Sequence, residues 1–142
     1  MKFNMFIVAI IMAATSCSKP ENYNILVVTG GHGFDKSSFF EVFDSFENMT
    51  YQHVTQPNAN DLIASDKADL FDVFVFYDMY DSITSIQKQA YINLLEQGKG
   101  MIFMHHALVS YQEWDEFKQI IGGKYHSDSA FVNGNLYKST YK

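Results

Sequence analysis

Apolar positions along this chain recur at two periods, one of strands and one of helices. Residues 23–29 (YNILVVT) form a compact β-branched and aliphatic run, the pattern of a strand buried on both faces. The run breaks at Gly30-Gly31-His32-Gly33. Phe39, Val42, Phe43 and Phe46 then return at helical spacing, with Asp35 or Ser37 placed to cap that helix. Residues 50–54 (TYQHV) are short and alternating, a second strand nearer an edge. Gln56-Pro57-Asn58 turns the chain, and residues 60–65 predict a single helical turn. Residues 71–77 (FDVFVFY) carry the apolar run of a central third strand.

A polar, aromatic loop follows, Asp78-Met79-Tyr80-Asp81-Ser82. Thr84 and Gln87 have capping-box spacing ahead of a helix whose face is Ile86, Ala90, Leu94 and Leu95, stopped by Gly98. Residues 101–104 predict a fourth strand. Trp114, Phe117, Ile120 and Ile121 predict a further helical face, ended by Gly122-Gly123. From Tyr125 a fifth extended segment is predicted, interrupted by Asn133-Gly134-Asn135. This order predicts an α/β fold, a three-layer sandwich around a mostly parallel sheet. No closing helix follows the last extended segment, so the domain, residues 24–142, is expected to be C-terminally truncated.

The start of the chain has a different composition. Lys2 precedes a nearly unbroken apolar run from Phe3 to Ala14, then Ala14-Thr15-Ser16 leads into Cys17. That is the layout of a signal peptide, and the run is short for a membrane span. Cys17 is the one cysteine of the chain, so no intramolecular disulfide can form. Its place after small residues resembles a bacterial lipobox, with Ala14 where leucine is usual. Residues 1–17 are therefore read as a lipoprotein signal peptide, Cys17 as the lipidated residue and residues 18–23 as a tether. The lipid anchor would make a membrane the first partner and the bacterial cell envelope the location.

Without residues 1–17 the chain keeps nine lysines and no arginine against 16 acidic residues, a net charge of −7. The acidic balance and the lack of guanidinium forks argue against nucleic-acid partners. Nothing in the composition fixes an oligomeric state.

Ligands of open parallel sheets bind beyond the carboxyl ends of the strands. Three loops in those positions hold His32, then Asp78, Tyr80 and Asp81, then His105-His106. His126, after Gly122-Gly123, is placed to return to the same rim. Adjacent histidines in extended chain point to opposite faces, so one of His105 and His106 is expected at the site and the other in the core. His53 lies mid-strand with no evident partner and reads as structural.

Three chemistries compete for this rim. A divalent metal could take His32, Asp78, His106 and His126, although no close His-x-x-x-His spacing supports it. A metal-free sugar or polyol site would use the same groups as hydrogen-bonding partners, with Tyr77, Tyr80, Tyr111 and Trp114 as stacking faces. Covalent acyl transfer needs a cysteine or serine at a strand tip, and the tip here reads His105-His106-Ala107-Leu108. The Gly30–Gly33 loop matches neither a dinucleotide fingerprint nor a phosphate-binding loop, and reads as a close-packed turn.

Together, ILVVTGGHGFD, DVFVFYDM and GKGMIFMHHALVSYQEWDEFKQIIGGKYH resemble the ThuA-like (trehalose-utilisation) family over residues 24–126. The third block is the specific one: a strand, His-His-Ala, a tryptophan, then Gly-Gly before an aromatic residue and a histidine. The resemblance implies a class I glutamine amidotransferase-like, flavodoxin-like fold, with histidines where amidotransferases carry a nucleophilic cysteine. It also implies sugar or disaccharide utilisation. The resulting expectation is a lipid-anchored protein that binds or processes a carbohydrate, with His105, His106 and Asp78 catalytic and His32, Tyr80, Trp114 and His126 binding substrate. The alternatives are a non-catalytic binding module and a metal-dependent hydrolase. No cofactor is expected beyond that optional divalent metal.

Overall fold

The computed structural model describes residues 22–125 and 129–137. The expected signal peptide with Cys17, most of the tether, and His126 lie outside the described residues. Four strands, β1 (Tyr23–Gly30), β2 (Met49–Thr55), β3 (Val73–Asp78) and β4 (Gly100–Phe103), form one sheet. Its order is β2-β1-β3-β4 and every pairing is parallel. β1 starts at Tyr23, so the tether expected over 18–23 yields to strand one residue early.

The strand sequences explain the placement. β1 and β3 are central and continuously apolar, as parallel strands covered on both faces must be. β2 alternates and sits at an edge, as its shorter pattern predicted. Ile25, Val27 and Val75 point to one face, where α1 (Lys36–Asp44) lays Phe39, Phe40 and Phe43 over them. Leu26, Val28, Phe74 and Phe76 point to the other, where α2 (Asn58–Ile63) and α3 (Ser85–Glu96) supply Ala59, Ile63, Tyr91 and Leu94. Asp35 caps α1 by accepting from the Ser38 amide. Thr84 and Gln87 close the predicted capping box on α3.

Two expectations are corrected beyond β4. The helical face expected from Trp114 to Ile121 is mostly not α-helix. A 3-10 turn, His105–Val109, is followed by further turns and only then by α4 (Phe117–Ile120). The amides of Trp114 and Phe117 bond to the carbonyls three residues back, and Tyr111 takes a positive φ of 51°, which breaks any continuous helix. A spacing of three serves successive tight turns as well as it serves an α-helix. The fifth extended segment is also not a strand of the sheet. β5 (Ala130–Val132) and β6 (Asn135–Tyr137) pair antiparallel as a separate hairpin. Asn133 and Gly134 both have positive φ, 51° and 80°, the geometry an Asn-Gly hairpin turn selects.

Candidate functional site

β1 is the switch point of the sheet: the chain leaves it for β2 on one side and pairs it with β3 on the other. The crevice beyond the carboxyl ends of β1 and β3 is where such folds hold ligands. The loop after β1 enters it through Gly31. A Cβ on Gly31 would lie 1.7 Å from the Met79 carbonyl oxygen, so the two loops touch backbone to backbone and only glycine fits. The Met79 amide donates to the Gly30 carbonyl at 2.8 Å and locks that approach.

His32 is thereby laid over the end of β3. Its Nε2 lies 3.1 Å from the Tyr77 carbonyl oxygen and its Nδ1 3.4 Å from that of Gly33. Its ring packs edge-on against Tyr77 at 4.7 Å and faces His106 at 4.3 Å between centroids. His105 completes the group, 3.9 Å from His106 and 6.2 Å from Tyr77. Three imidazoles from two loops thus share one rim, with the Tyr77 and Phe34 rings beneath them.

The expectation that one of His105 and His106 enters the core is overturned. The strand ends at Phe103, and His105 takes a left-handed backbone (φ 48°) as the first residue of the 3-10 turn. Strand alternation no longer applies there, and both rings stay at the rim. His105 is exposed. His106 is half-buried, and its Nδ1 is buried with no hydrogen-bond partner among the described residues. Burial, and then the neighbouring His105 and His32, push the His106 pKa below the ordinary imidazole value.

Asp78 lies beneath this rim and not on it. It is 1% exposed, and one carboxylate oxygen accepts from Gln56 Nε2 at 2.9 Å. Gln56 Nε2 also reaches Asn60 Oδ1 (3.0 Å) and the Tyr111 hydroxyl (3.0 Å). Asn60 Oδ1 accepts from Tyr91 (2.9 Å) and Tyr111 (2.8 Å). Burial raises the Asp78 pKa to about 6, against the lowering effect of Gln56 and His32. Among the described residues no hydrogen bond joins Asp78 to His32 or His106; its carboxylate is held below the rim by Gln56. Of this network, Gln56, Asn60 and Tyr91 were not singled out in the sequence. The visible traces are a Gln-Pro-Asn turn after a strand and a tyrosine three residues before Leu94 on the buried stripe of α3.

The other expected residues divide. Tyr80 packs part of its side chain against the core, and its backbone binds the histidine turn: its amide donates to Ser110 Oγ at 3.1 Å and its carbonyl accepts from the Tyr111 amide at 3.0 Å. Trp114 and Tyr111 are corrected outright. Trp114 is 3% and Tyr111 1% exposed, packed with Tyr91 and Phe117, so neither offers a ring face to a ligand. The chain crosses to the α2–α3 face after the histidine turn and uses these rings to close the core. Asp81 caps no helix; its carboxylate lies 3.4 Å from the Gln112 amide. The Tyr125 amide bonds to the Leu108 carbonyl, which brings the chain preceding His126 alongside the histidine turn. His53 does have a partner, Thr29 Oγ1 at 2.7 Å.

Among the described residues no group of three His, Cys, Asp or Glu side chains is arranged to hold a metal ion. Among them, too, no helix is long and apolar enough to cross a membrane. Compared with protein-family models, curated proteins and solved structures, the chain matches none.

Proposed function

We propose that this is a ThuA-like domain that binds or processes a carbohydrate at the rim formed by His32, His105, His106 and Tyr77. The observation that carries the reading is the convergence of three imidazoles from two loops at the switch point of a parallel sheet. The order β2-β1-β3-β4 agrees with the first four strands of a flavodoxin-like sheet, 2-1-3-4-5, and supports the class I glutamine amidotransferase-like assignment. A cysteine or serine nucleophile is not part of the proposal, because the strand tip reads His105-His106-Ala107-Leu108.

Roles follow from the contacts. His32, with both ring nitrogens against backbone carbonyls, orients its neighbours. His106, whose pKa is lowered, stays neutral near pH 7 and serves as the general base or hydrogen-bond acceptor. Tyr77 and Phe34 give the rim its apolar side. Lipidation of Cys17 would hold the domain at the bacterial cell envelope. Mass spectrometry of the purified protein, with Cys17→Ser as control, checks that anchor.

The site is tested by calorimetry against mono- and disaccharides. His106→Ala is expected to weaken binding at least tenfold, and sugar binding that is unchanged by it removes the assigned site. A non-catalytic binding module is the second reading, favoured by the contact that fixes His32 Nε2 on the Tyr77 carbonyl. Turnover that depends on His106 would sink it.

A further inference from the structure

We propose that Gln56, Asp78 and Tyr111 form a positioning relay under the histidine turn, so that the charge on Asp78 governs how His105 and His106 are presented. The inference rests on reading the histidine turn as the functional rim. Asp78 belongs to β3, while the histidines belong to the segment after β4. What connects them is a set of buried bonds.

The side-chain route runs from the Asp78 carboxylate to Gln56 Nε2 (2.9 Å) and from there to the Tyr111 hydroxyl (3.0 Å). The backbone route runs from the Asp78 carbonyl to the Ser110 hydroxyl (3.4 Å), and from Tyr80 to Ser110 and Tyr111. Ser110 and Tyr111 directly follow the turn that holds both histidines. The other end of the turn is fixed by the Met104 amide on the Phe76 carbonyl. A strand end and a hydrogen-bonded exit thus clamp a five-residue turn, and only the exit contains an ionisable group.

The relay leaves the charged form poorly satisfied. Asp78 is fully buried, and Gln56 is its one side-chain hydrogen-bond partner among the described residues. Gln56 Oε1 is itself buried with no partner among the described residues, so the amide is engaged on one side only. A change at the carboxylate therefore has a nearby group free to respond. Around Asp78 stand Gln56 and Asn60 from the β2–α2 region, His32 from the loop after β1, Tyr91 from α3, Tyr111 beyond the histidine turn, and Tyr80 on its own loop. The raised pKa of Asp78 places its charge change near the acid edge of neutrality.

The test is a pH titration by NMR of the full chain, following the Asp78 carboxyl carbon and the backbone amides of Ala107, Val109 and Ser110. Those amides are expected to shift with the same midpoint as the Asp78 carboxyl. The shift should persist when His32, His105 and His106 are all alanine, which removes the imidazole titrations. Asp78→Asn should abolish it. Tyr111→Phe keeps the ring in the core and should leave the carboxyl titration in place while reducing the amide shift at least threefold. Amides that stay fixed while Asp78 titrates overturn the proposal, as does a shift that disappears with the histidines or survives Tyr111→Phe undiminished. No sugar enters the measurement, so failure of the carbohydrate reading and failure of the relay are told apart.

Discussion

The two faces of the sheet are built on different terms. The face under α2, α3 and α4 is closed by fully buried rings, Phe74, Phe76, Tyr91, Tyr111, Trp114 and Phe117. The face under α1 has one helix among the described residues, and none of that helix's residues is buried. There Phe34, Phe39, Phe40, Phe43, Tyr51 and Tyr77 are only partly covered, and Ile102 of β4 is 50% exposed. Ring contacts on the α1 face continue without a break from Tyr51 and His53 through Phe40, Phe39 and Tyr77 to the histidines. The closed face supplies stability. The open face leads to the rim where chemistry is expected.

The contrast can be broken most directly by truncation. Trp114→Ala, on the closed face, is expected to cost about 3–5 kcal/mol. Phe39→Ala, on the open face, should cost about 2 kcal/mol, because its ring is already partly solvated. Denaturant unfolding followed by circular dichroism measures both, and equal losses would erase the distinction.

A comparable effect, this time set by pH, comes from Asp78, the one buried carboxylate of the closed face among the described residues. The folded-state pKa of Asp78, about 6, lies above the ordinary aspartate value of 3.8, so folding favours its protonated form. Its ionisation lowers stability as pH rises from about 4 through about 6. Relative to wild type, Asp78→Asn should gain about 2–3 kcal/mol between pH 4 and pH 7, and show no such gain below pH 4. Parallel stability profiles for the two proteins would mean that the carboxylate is not penalised by burial. The smallest effect is expected on the open face. Thr29→Val removes the 2.7 Å bond to His53 and should cost about 1 kcal/mol, read from the same unfolding curves.

The central strands, the capping box and the edge position of β2 were legible because each depends on neighbours in sequence. Residues 23–29 and 71–77 announce burial on both sides by composition alone. The rim was legible in part, since the switch-point rule brings His32 and the His105-His106 pair to one place. Their individual orientations were not. Whether His106 faces inward depends on the backbone of His105 turning left-handed, and no spacing encodes that. Trp114 misled for a related reason: an aromatic ring at helical spacing near a rim fits a stacking platform and a core plug equally well. The Gln56–Asn60–Tyr91–Tyr111 network was invisible because its members come from three separate segments and meet only after the sheet has formed.

Trp114 has one more consequence. It is the only tryptophan of the chain and sits wholly within the closed face. Its intrinsic fluorescence is therefore a one-sided reporter. Loosening of α1 and the open-face rings would leave its emission unchanged while helical circular dichroism declined. Coincidence of the two signals is the test of whether the faces unfold as one unit.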